Sequence, residues 1–539
     1  MRRRDLLAAG SLSLAGCRPA QPVLEGGFHG LDQDRGHRMR APVPATSPTV
    51  TRRTGVLIAG AGVAGLAAAR ALRQRGIEDF ALLELEDQPG GNSRSAQLGA
   101  MACPLGAHYL PLPGPSAHEV QDLLEDLGLR RRVAGRWEYD ERHLCHSPQE
   151  RLHFRGAWQD GLLPMNGVGA PTLEQYRRFA TLVAQAQRTG NWSVPSIRVR
   201  RSVSEQALST ITFQAWLDQS GLTDPQLRWY LDYCCRDDYG AGAATVSAWA
   251  GLHYFASRHG FHVPGSGVSE AESVLTWPEG NAWLVARLAQ PLQQGTRERL
   301  HGGRIVLRIA HTKHGVELDA LDAHSGTLER WQARHCVVAL PLLAALRAVQ
   351  SPPDFLRAAA GAVRYAPWLV ANIALDAALH DRPGAAPSWD NVIYGDRSTA
   401  PGLGYVDAMH QSLRSVPGPT VLTYYRALGD LSDARRLLLE QPWQAWRDAI
   451  FAELRVAHPD LPAKARRMLL TRYGHAMAMP VPLSHEQAAA PSWLRPGSSG
   501  TDFGLADGRI SFAHSDWAGY SVFEEAFTLG HAAAMALRL

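Results

Sequence analysis

The sequence predicts an α/β protein built on a parallel sheet, and three stretches carry that prediction. Gly55-Val56-Leu57-Ile58-Ala59 is a short apolar run suited to a buried parallel strand. Gly60-Ala61-Gly62-Val63-Ala64-Gly65 follows and leads into the alanine-rich Leu66–Leu72, a good helix former. Phe80-Ala81-Leu82-Leu83 is a second apolar strand, and it runs into Glu84.

Strand, glycine turn, helix, strand and acid in this order form a Rossmann-type dinucleotide pattern. Gly60 makes the tight turn. Gly62 lets the backbone approach a pyrophosphate, and Gly65 lets helix and strand pack closely. Ala64 stands beside them at the helix start. The phosphates sit at the helix N-terminus, where unpaired N–H groups and the helix dipole favour negative charge. Glu84 is placed to accept hydrogen bonds from an adenosine ribose. Glu86 competes for that role, because residues two apart on a strand share a side. Asp87-Gln88-Pro89-Gly90-Gly91-Asn92 comes next. A Gly-Gly pair directly after the ribose acid indicates a second close backbone approach, explained by a longer dinucleotide whose second half lies over that loop.

Four separated stretches then resemble one family. They are VLIAGAGVAGLAAARAL at 56–72, LLELEDQPGGNSRS at 82–95 with Gly106-Ala107 following, ARHCVVALPLLAAL at 333–346, and DGRISFAHSDWAGYSVFEEAFTLGHAAAMAL at 507–537. In order and spacing the chain resembles the FAD-dependent amine oxidase superfamily, which includes monoamine and polyamine oxidases, protoporphyrinogen oxidases and carotenoid desaturases. The resemblance implies a Rossmann-type FAD-binding domain interleaved with an α+β substrate domain, as in monoamine oxidases. The FAD-binding domain takes 52–115, 275–350 and 495–539. The substrate domain takes 116–274 and 351–494.

The resemblance also orders the later elements. Arg304–Ile309 is expected as a strand near the adenosine, and 335–341 as an apolar strand ended by proline. Ile510–Ala513 forms a short strand, and Asp516 beyond it resembles a ribityl or pyrophosphate contact. A helix begins near Val522 and Phe523, its first N–H groups directed at the flavin. Glu525 stands where the family usually has Gly, and His514-Ser515 where it has Gly-Glu. Amphipathic stretches at 118–133 and 432–455 read as helices.

A flavin accepts a hydride equivalent from a C–N or C–C bond, so the protein need supply no nucleophile or catalytic triad. The family's frequent active-site lysine precedes a substrate-domain strand. The matching region, Arg364-Tyr365-Ala366-Pro367-Trp368, has none, and Lys313 and Lys464 are the chain's two lysines. That weakens the expectation of an efficient oxidase, and Arg364 does not stand in for lysine by geometry or solvation. The C-terminal member of the family's aromatic pair falls near Val522. Trp517, Tyr520 and Phe523 either wall a different pocket or pack on the FAD domain. No cysteine follows Cys336, so the FAD is expected to be non-covalent.

His108 and Tyr109 follow Gly106-Ala107, where the chain passes near the isoalloxazine, and His475 precedes the C-terminal FAD stretch. With Tyr520 they are the substrate-side candidates. Tyr230–Tyr239, which holds Asp237 and Asp238, reads equally as an amine-binding run or as a helix with an acidic exposed side. The leading expectation is oxidation of an amine, polyamine-like among the choices, with oxygen or another acceptor taking the electrons. The alternatives are desaturation of an apolar substrate and a non-catalytic FAD-containing binding protein.

Composition bounds the rest. The chain has 539 residues, 45% hydrophobic and 20% charged, with a formal net charge of +4. That excludes a wholly disordered chain and gives no basic tract for nucleic acid. Residues 1–17, MRRRDLLAAGSLSLAGC, resemble a twin-arginine export signal ending in a lipoprotein box. The apolar run Leu6–Gly16 is shorter than the about 20 residues that a spanning helix needs. Export to the periplasmic side with a lipid anchor at Cys17 is therefore expected. Residues 18–51 read as a linker or as an extended segment laid over the body. The cysteines lack metal-ligand spacing, so no metal is expected. The sequence fixes no oligomeric state.

Overall fold

A computed structural model describes residues 24–40, 47–145, 149–258, 260–263, 273–294, 298–395, 401–412, 414, 416–484 and 506–538. The export segment and Cys17 lie outside the described residues.

The strand Val56–Ala59 is buried at every position, as a strand between two covered faces must be. It pairs in parallel with Phe80–Leu83 on one side and with His335–Val338 on the other. Leu300–His301 adds beyond Phe80–Leu83, and Ile510–Phe512 beyond His335–Val338, both parallel. An antiparallel turn, Ala506–Asp507, completes a six-stranded sheet. Three distant stretches of sequence thus make one nucleotide-type sheet. The helix Val63–Gln74 covers one face and buries its alanine side. A Cβ on Gly65 would stand 1.9 Å from the Gly60 carbonyl oxygen, so only glycine lets this helix lie so close. The C-terminal helix Phe523–Met535 packs on it at Gly530, where a Cβ would come 2.0 Å from the Ala64 carbonyl oxygen.

The second domain is built on an eight-stranded mixed sheet. At its centre the strand Tyr365–Leu375 is antiparallel to both Ala465–Ala478 and Thr420–Ala427. Tyr405–Asp407, Asp390–Ile393, Glu150–Phe154 and Ala157–Asp160 extend one side, and Glu25–Phe28 pairs in parallel at the opposite edge. The helices Ala170–Thr189, Pro225–Tyr239 and Ala248–Ala256 bury an apolar cluster that includes Phe179, Phe213 and Phe255. Arg304–His311, Val316–Asp322, Leu328–Ala333 and Val50–Arg53 form a separate four-stranded sheet. The class is the one expected: a Rossmann-type domain interleaved with an α+β domain.

Three elements differ in extent from the sequence reading. The 118–133 helix stops at Asp126, because Gly128 turns left-handed at φ +70°, and Arg130–Val133 is a strand. The 432–455 stretch splits into Ala434–Glu440 and Trp443–Leu454 around Pro442, whose missing N–H cannot continue the first helix. Pro341 does not end a strand directly: His335–Val338 is already finished, and Pro341 caps the helix Leu342–Ala348.

Among the described residues no helix is long and apolar enough to cross a membrane. No group of three or more His, Cys, Asp or Glu side chains there could hold a metal ion.

Candidate active site and cofactor cavity

A cavity of about 470 Å³ opens where the parallel strands end. Gly60, Glu84, Ala339 and His514, each just past a strand terminus, all line it. Ligands of open α/β sheets bind at these carboxyl ends, and the volume lies within the range of cofactor sites.

The glycine turn is shaped for a ligand. Gly60 has φ +97° and a Cβ there would lie 2.5 Å from the Ala339 carbonyl oxygen. A Cβ on Gly62 would meet no atom within 4 Å, so the backbone here faces open cavity. The Gly90 N–H donates to the Ala61 carbonyl at 2.8 Å, which clamps the second glycine loop against the first. Glu84 is 8% exposed. One of its carboxylate oxygens accepts from the Ala61 N–H at 2.8 Å, the other from the Glu86 N–H at 3.0 Å. Burial raises its pKa, and those two N–H groups oppose the rise. Glu86 lines the cavity too, but its carboxylate is engaged by the Asp32 N–H at 3.1 Å and by Arg94 at 3.5 Å.

Arg94 was not singled out by the sequence, although it closes the Gly-Gly motif. Its Nη2 is buried without a hydrogen-bond partner, and the residue lines the cavity beside Gly62 and Gly91. Buried cationic donors require partners, and a pyrophosphate at the turn would supply one. The unpartnered Nη2 of Arg94, the open backbone at Gly62 and the acid at Glu84 fit a dinucleotide.

Of the other expected cofactor contacts, Ala64, Gly91, Asn92, Gly106, Ala107, Asp516, Val522 and Phe523 also line the cavity. Gly65 does not; it serves the helix–strand packing described above. Arg304 and Val306 bring their strand to the same wall. Asp516 is occupied by protein groups: it accepts from the Leu342 N–H at 3.1 Å and from the Tyr365 hydroxyl, and faces His514 at 3.1 Å. Burial raises its pKa, but His514 and these donors outweigh burial and hold it below the usual carboxylate range. The C-terminal helix starts at Phe523 with Val522 as N-cap and no side chain capping it. The first-turn N–H groups of a helix have no intrahelical partner and leave a partial positive charge at the cavity wall.

The opposite end is aromatic and acidic. His108 stacks on Tyr425 with centroids 4.4 Å apart, and burial pushes its pKa down to about 3, so it is neutral. The Tyr425 hydroxyl donates to the Gly106 carbonyl at 2.9 Å. Tyr109 donates its hydroxyl proton to Asp237. Asp237, Asp238 and Glu524 all line this end, with Arg258. Arg258 donates twice to one oxygen of Asp238 at 3.2 Å. One guanidinium therefore faces three carboxylates. Burial pushes the Asp237 and Glu524 carboxyls each up to about 7.

Of the two readings of Tyr230–Tyr239, the acidic exposed side does not hold: Asp232 and Asp238 are buried, and Asp237 and Asp238 line the cavity. Glu524 was missed as a site residue, because a charge in the first turn of a helix reads as a surface feature. His475 lines the cavity near Tyr365, with ring centroids 5.4 Å apart, and burial pushes its pKa down to about 4. Tyr520 lies off the cavity lining. It is fully buried and donates to Glu525 at 2.8 Å, so it packs the start of the C-terminal helix. Glu525 also accepts the Ser196 N–H, which gives the carboxylate in the family's glycine position a bracing role. Trp517 packs on Phe355 and Phe512. Tyr365 and Trp368 line the cavity, whereas Arg364 is exposed and bonds nearby carbonyls. Lys464 pairs with Asp460 at 2.8 Å, outside the lining, and Lys313 is exposed.

Fold and cavity together define an FAD-dependent oxidoreductase of two interleaved domains. The chain belongs to the flavin-containing amine oxidoreductase family, which matches residues 63–538. Protein anon-37Cs of Drosophila lebanonensis is 34% identical over 87 residues, which span 16% of each chain. Putrescine oxidase, solved bound to putrescine, is similar with a TM-score of 0.63 at 17% identity, over 90% of this chain and 99% of its own. A CLA-producing fatty acid isomerase from P. acnes is similar at 0.60 and 15%, over 90% and 99%. These two likenesses establish the fold. They leave the substrate to the cavity's own chemistry.

Proposed function

We propose that this protein oxidises an amine whose cationic nitrogen is received by the acidic end of the cavity. The observation that carries this reading is the wall of Asp237, Asp238 and Glu524 facing the single guanidinium of Arg258. When all are ionised the wall has an excess of negative charge in a desolvated setting, where a bound cation restores balance. An apolar substrate would leave those carboxylates uncompensated.

The FAD, held non-covalently, supplies hydride acceptance from the carbon next to nitrogen. The chain's residues prepare the amine for that event. Asp237, with its pKa near 7, attracts the ammonium and can accept a proton from it at a carboxylate oxygen. His108, Tyr425 and Trp368 exclude water beside it, which favours the neutral amine. Gly62, Arg94 and the start of the C-terminal helix hold the pyrophosphate and the flavin end. Because neither lysine lines the cavity, an acceptor other than oxygen is the favoured oxidant of reduced flavin. We also propose export to the periplasmic side with a lipid anchor at Cys17, supported by the resemblance of residues 1–17 to a twin-arginine signal ending in a lipoprotein box; mass spectrometry of the mature N-terminus tests this.

The functional test is anaerobic mixing of holoprotein with a panel of mono-, di- and polyamines. Loss of the oxidised flavin's visible absorption by at least one amine is expected. No bleaching by any of them would remove the amine reading.

A further inference from the structure

Residues 24–40 precede the family-matched region, yet they reach into the cofactor cavity. We propose that this segment is a strap that completes the FAD site and retains the cofactor. The inference rests on the flavin site and is independent of the amine reading.

The strap is fastened at three places. Its strand Glu25–Phe28 pairs with Ala465–Ala478 on the second domain, and Arg472 lies 3.6 Å from the Phe28 ring centroid while donating to Gln33 at 3.3 Å. Its middle crosses to the nucleotide domain beside the ribose acid. There the Asp32 N–H donates to Glu86 at 3.1 Å, and Arg35 donates to Asp87 at 2.7 Å and to the Leu85 carbonyl at 3.3 Å. Its far end is held by Arg347, which donates to the Met39 and Arg40 carbonyls. Arg347 belongs to the helix Leu342–Ala348, which follows the cavity-lining Leu340 and Pro341.

Between these anchors Leu31 and Met39 line the same cavity as Gly62 and Glu84. Both are half-buried. Two apolar side chains aimed at a dinucleotide cavity, on a segment tied to both domains, supply a cover rather than chemistry. A cofactor held without a covalent bond leaves at a rate set by such covers, since differences in affinity lie mostly in dissociation.

The test is release of flavin from the holoprotein after dilution into flavin-free buffer, followed by free-flavin fluorescence. Arg35→Ala and Asp87→Ala each remove the same partly exposed ion pair from opposite sides, and each should speed release about two- to fivefold. The double variant should release flavin less fast than the product of the two single effects, because the Arg35–Asp87 pair is lost in both while the Leu85 bond of Arg35 and the His324 contact of Asp87 are lost separately. Leu31→Ala with Met39→Ala should speed release about tenfold or more, through lost apolar contact. Far-UV circular dichroism on the same samples reports folding. Wild-type release in the folded variants would overturn the proposal, as would acceleration confined to variants that have lost the native spectrum. Asp87 lies on the body and Arg35 on the strap, so misfolding of one variant leaves the other to decide.

Discussion

The carboxylate of Glu84 accepts the backbone N–H of Ala61 at 2.8 Å, so the ribose acid also locks the glycine turn. One residue thereby joins the ends of two adjacent parallel strands. Glu84→Ala removes the acid expected on the ribose and the lock together. A charge-assisted bond of this kind is worth about 1.5–3 kcal/mol, or roughly ten- to hundredfold in Kd. Titration of apoprotein with FAD should show that loss, with Glu84→Gln intermediate.

Arg94 offers a second, independent measure of cofactor fit. Its unpartnered Nη2 should pair with phosphate, so Arg94→Ala should weaken FAD binding by about tenfold or more. Riboflavin lacks phosphate, so its binding should change far less. Equal losses for both ligands would place Arg94 outside the phosphate site.

The acidic wall sets a pH dependence for amine turnover. Asp237 and Glu524 ionise near 7, and a cation binds their ionised forms. For an amine that stays protonated, kcat/KM should therefore rise as pH increases through about 7. Asp238 raises the Asp237 pKa while Arg258 and the Tyr109 hydroxyl lower it, and Asp237 in turn raises that of Asp390. Asp237→Asn should raise KM about tenfold or more and flatten this limb of the profile.

The same carboxyls act on stability with the opposite sign. Their ordinary pKa values are 3.8 and 4.5, and burial raises both to about 7. Between pH 4 and 7 these two carboxyls hold protons in the folded protein that they release in the unfolded chain, so their contribution to folding stability falls as pH rises through that window. In thermal unfolding of apoprotein, Asp237→Asn should lack its share of this fall, so its stability relative to wild type should grow as pH rises from 4 to 7. A slope identical to wild type would remove Asp237 from the account.

The packing of the C-terminal helix gives a structural prediction. Gly530→Ala drives a Cβ to 2.0 Å from the Ala64 carbonyl oxygen, which the backbone cannot yield cheaply. A loss of about 1–3 kcal/mol is expected, as for overpacked cores. It should appear in denaturant unfolding along with weaker FAD binding, because this helix starts at the cavity.

The nucleotide half was legible where local chemistry dictates geometry. Gly60 and Gly65 have no substitutes at such close approaches, and Gly62 leaves its backbone open to the cavity, so their spacing specifies the turn before any packing is known. The strands at 56–59 and 80–83 were equally plain from their unbroken apolar runs. The substrate end was less legible because it depends on which face of a helix the fold turns inward. Asp237 and Asp238 carry the pattern of a solvated helix side, and only the packing of Pro225–Tyr239 against the cavity reverses that. Glu524 was hidden for the same reason. Tyr520 erred the other way: aromatic character and position pointed to the cavity, while its bond to Glu525 turned it into the core. The strap left little signal, since a four-residue strand and a six-residue helix are too short to show periodicity.

The nucleotide sheet sets a timetable for synthesis. Its central strand, His335–Val338, lies between Val56–Ala59 and Ile510–Phe512. At about 5–20 residues per second, the first and last of these leave the ribosome roughly half a minute or more apart. Until then the glycine turn has no finished floor and the cavity no C-terminal helix. Cofactor loading is therefore an event of the released chain, and a translational stall beyond residue 340 but before 510 would yield a protein unable to turn yellow.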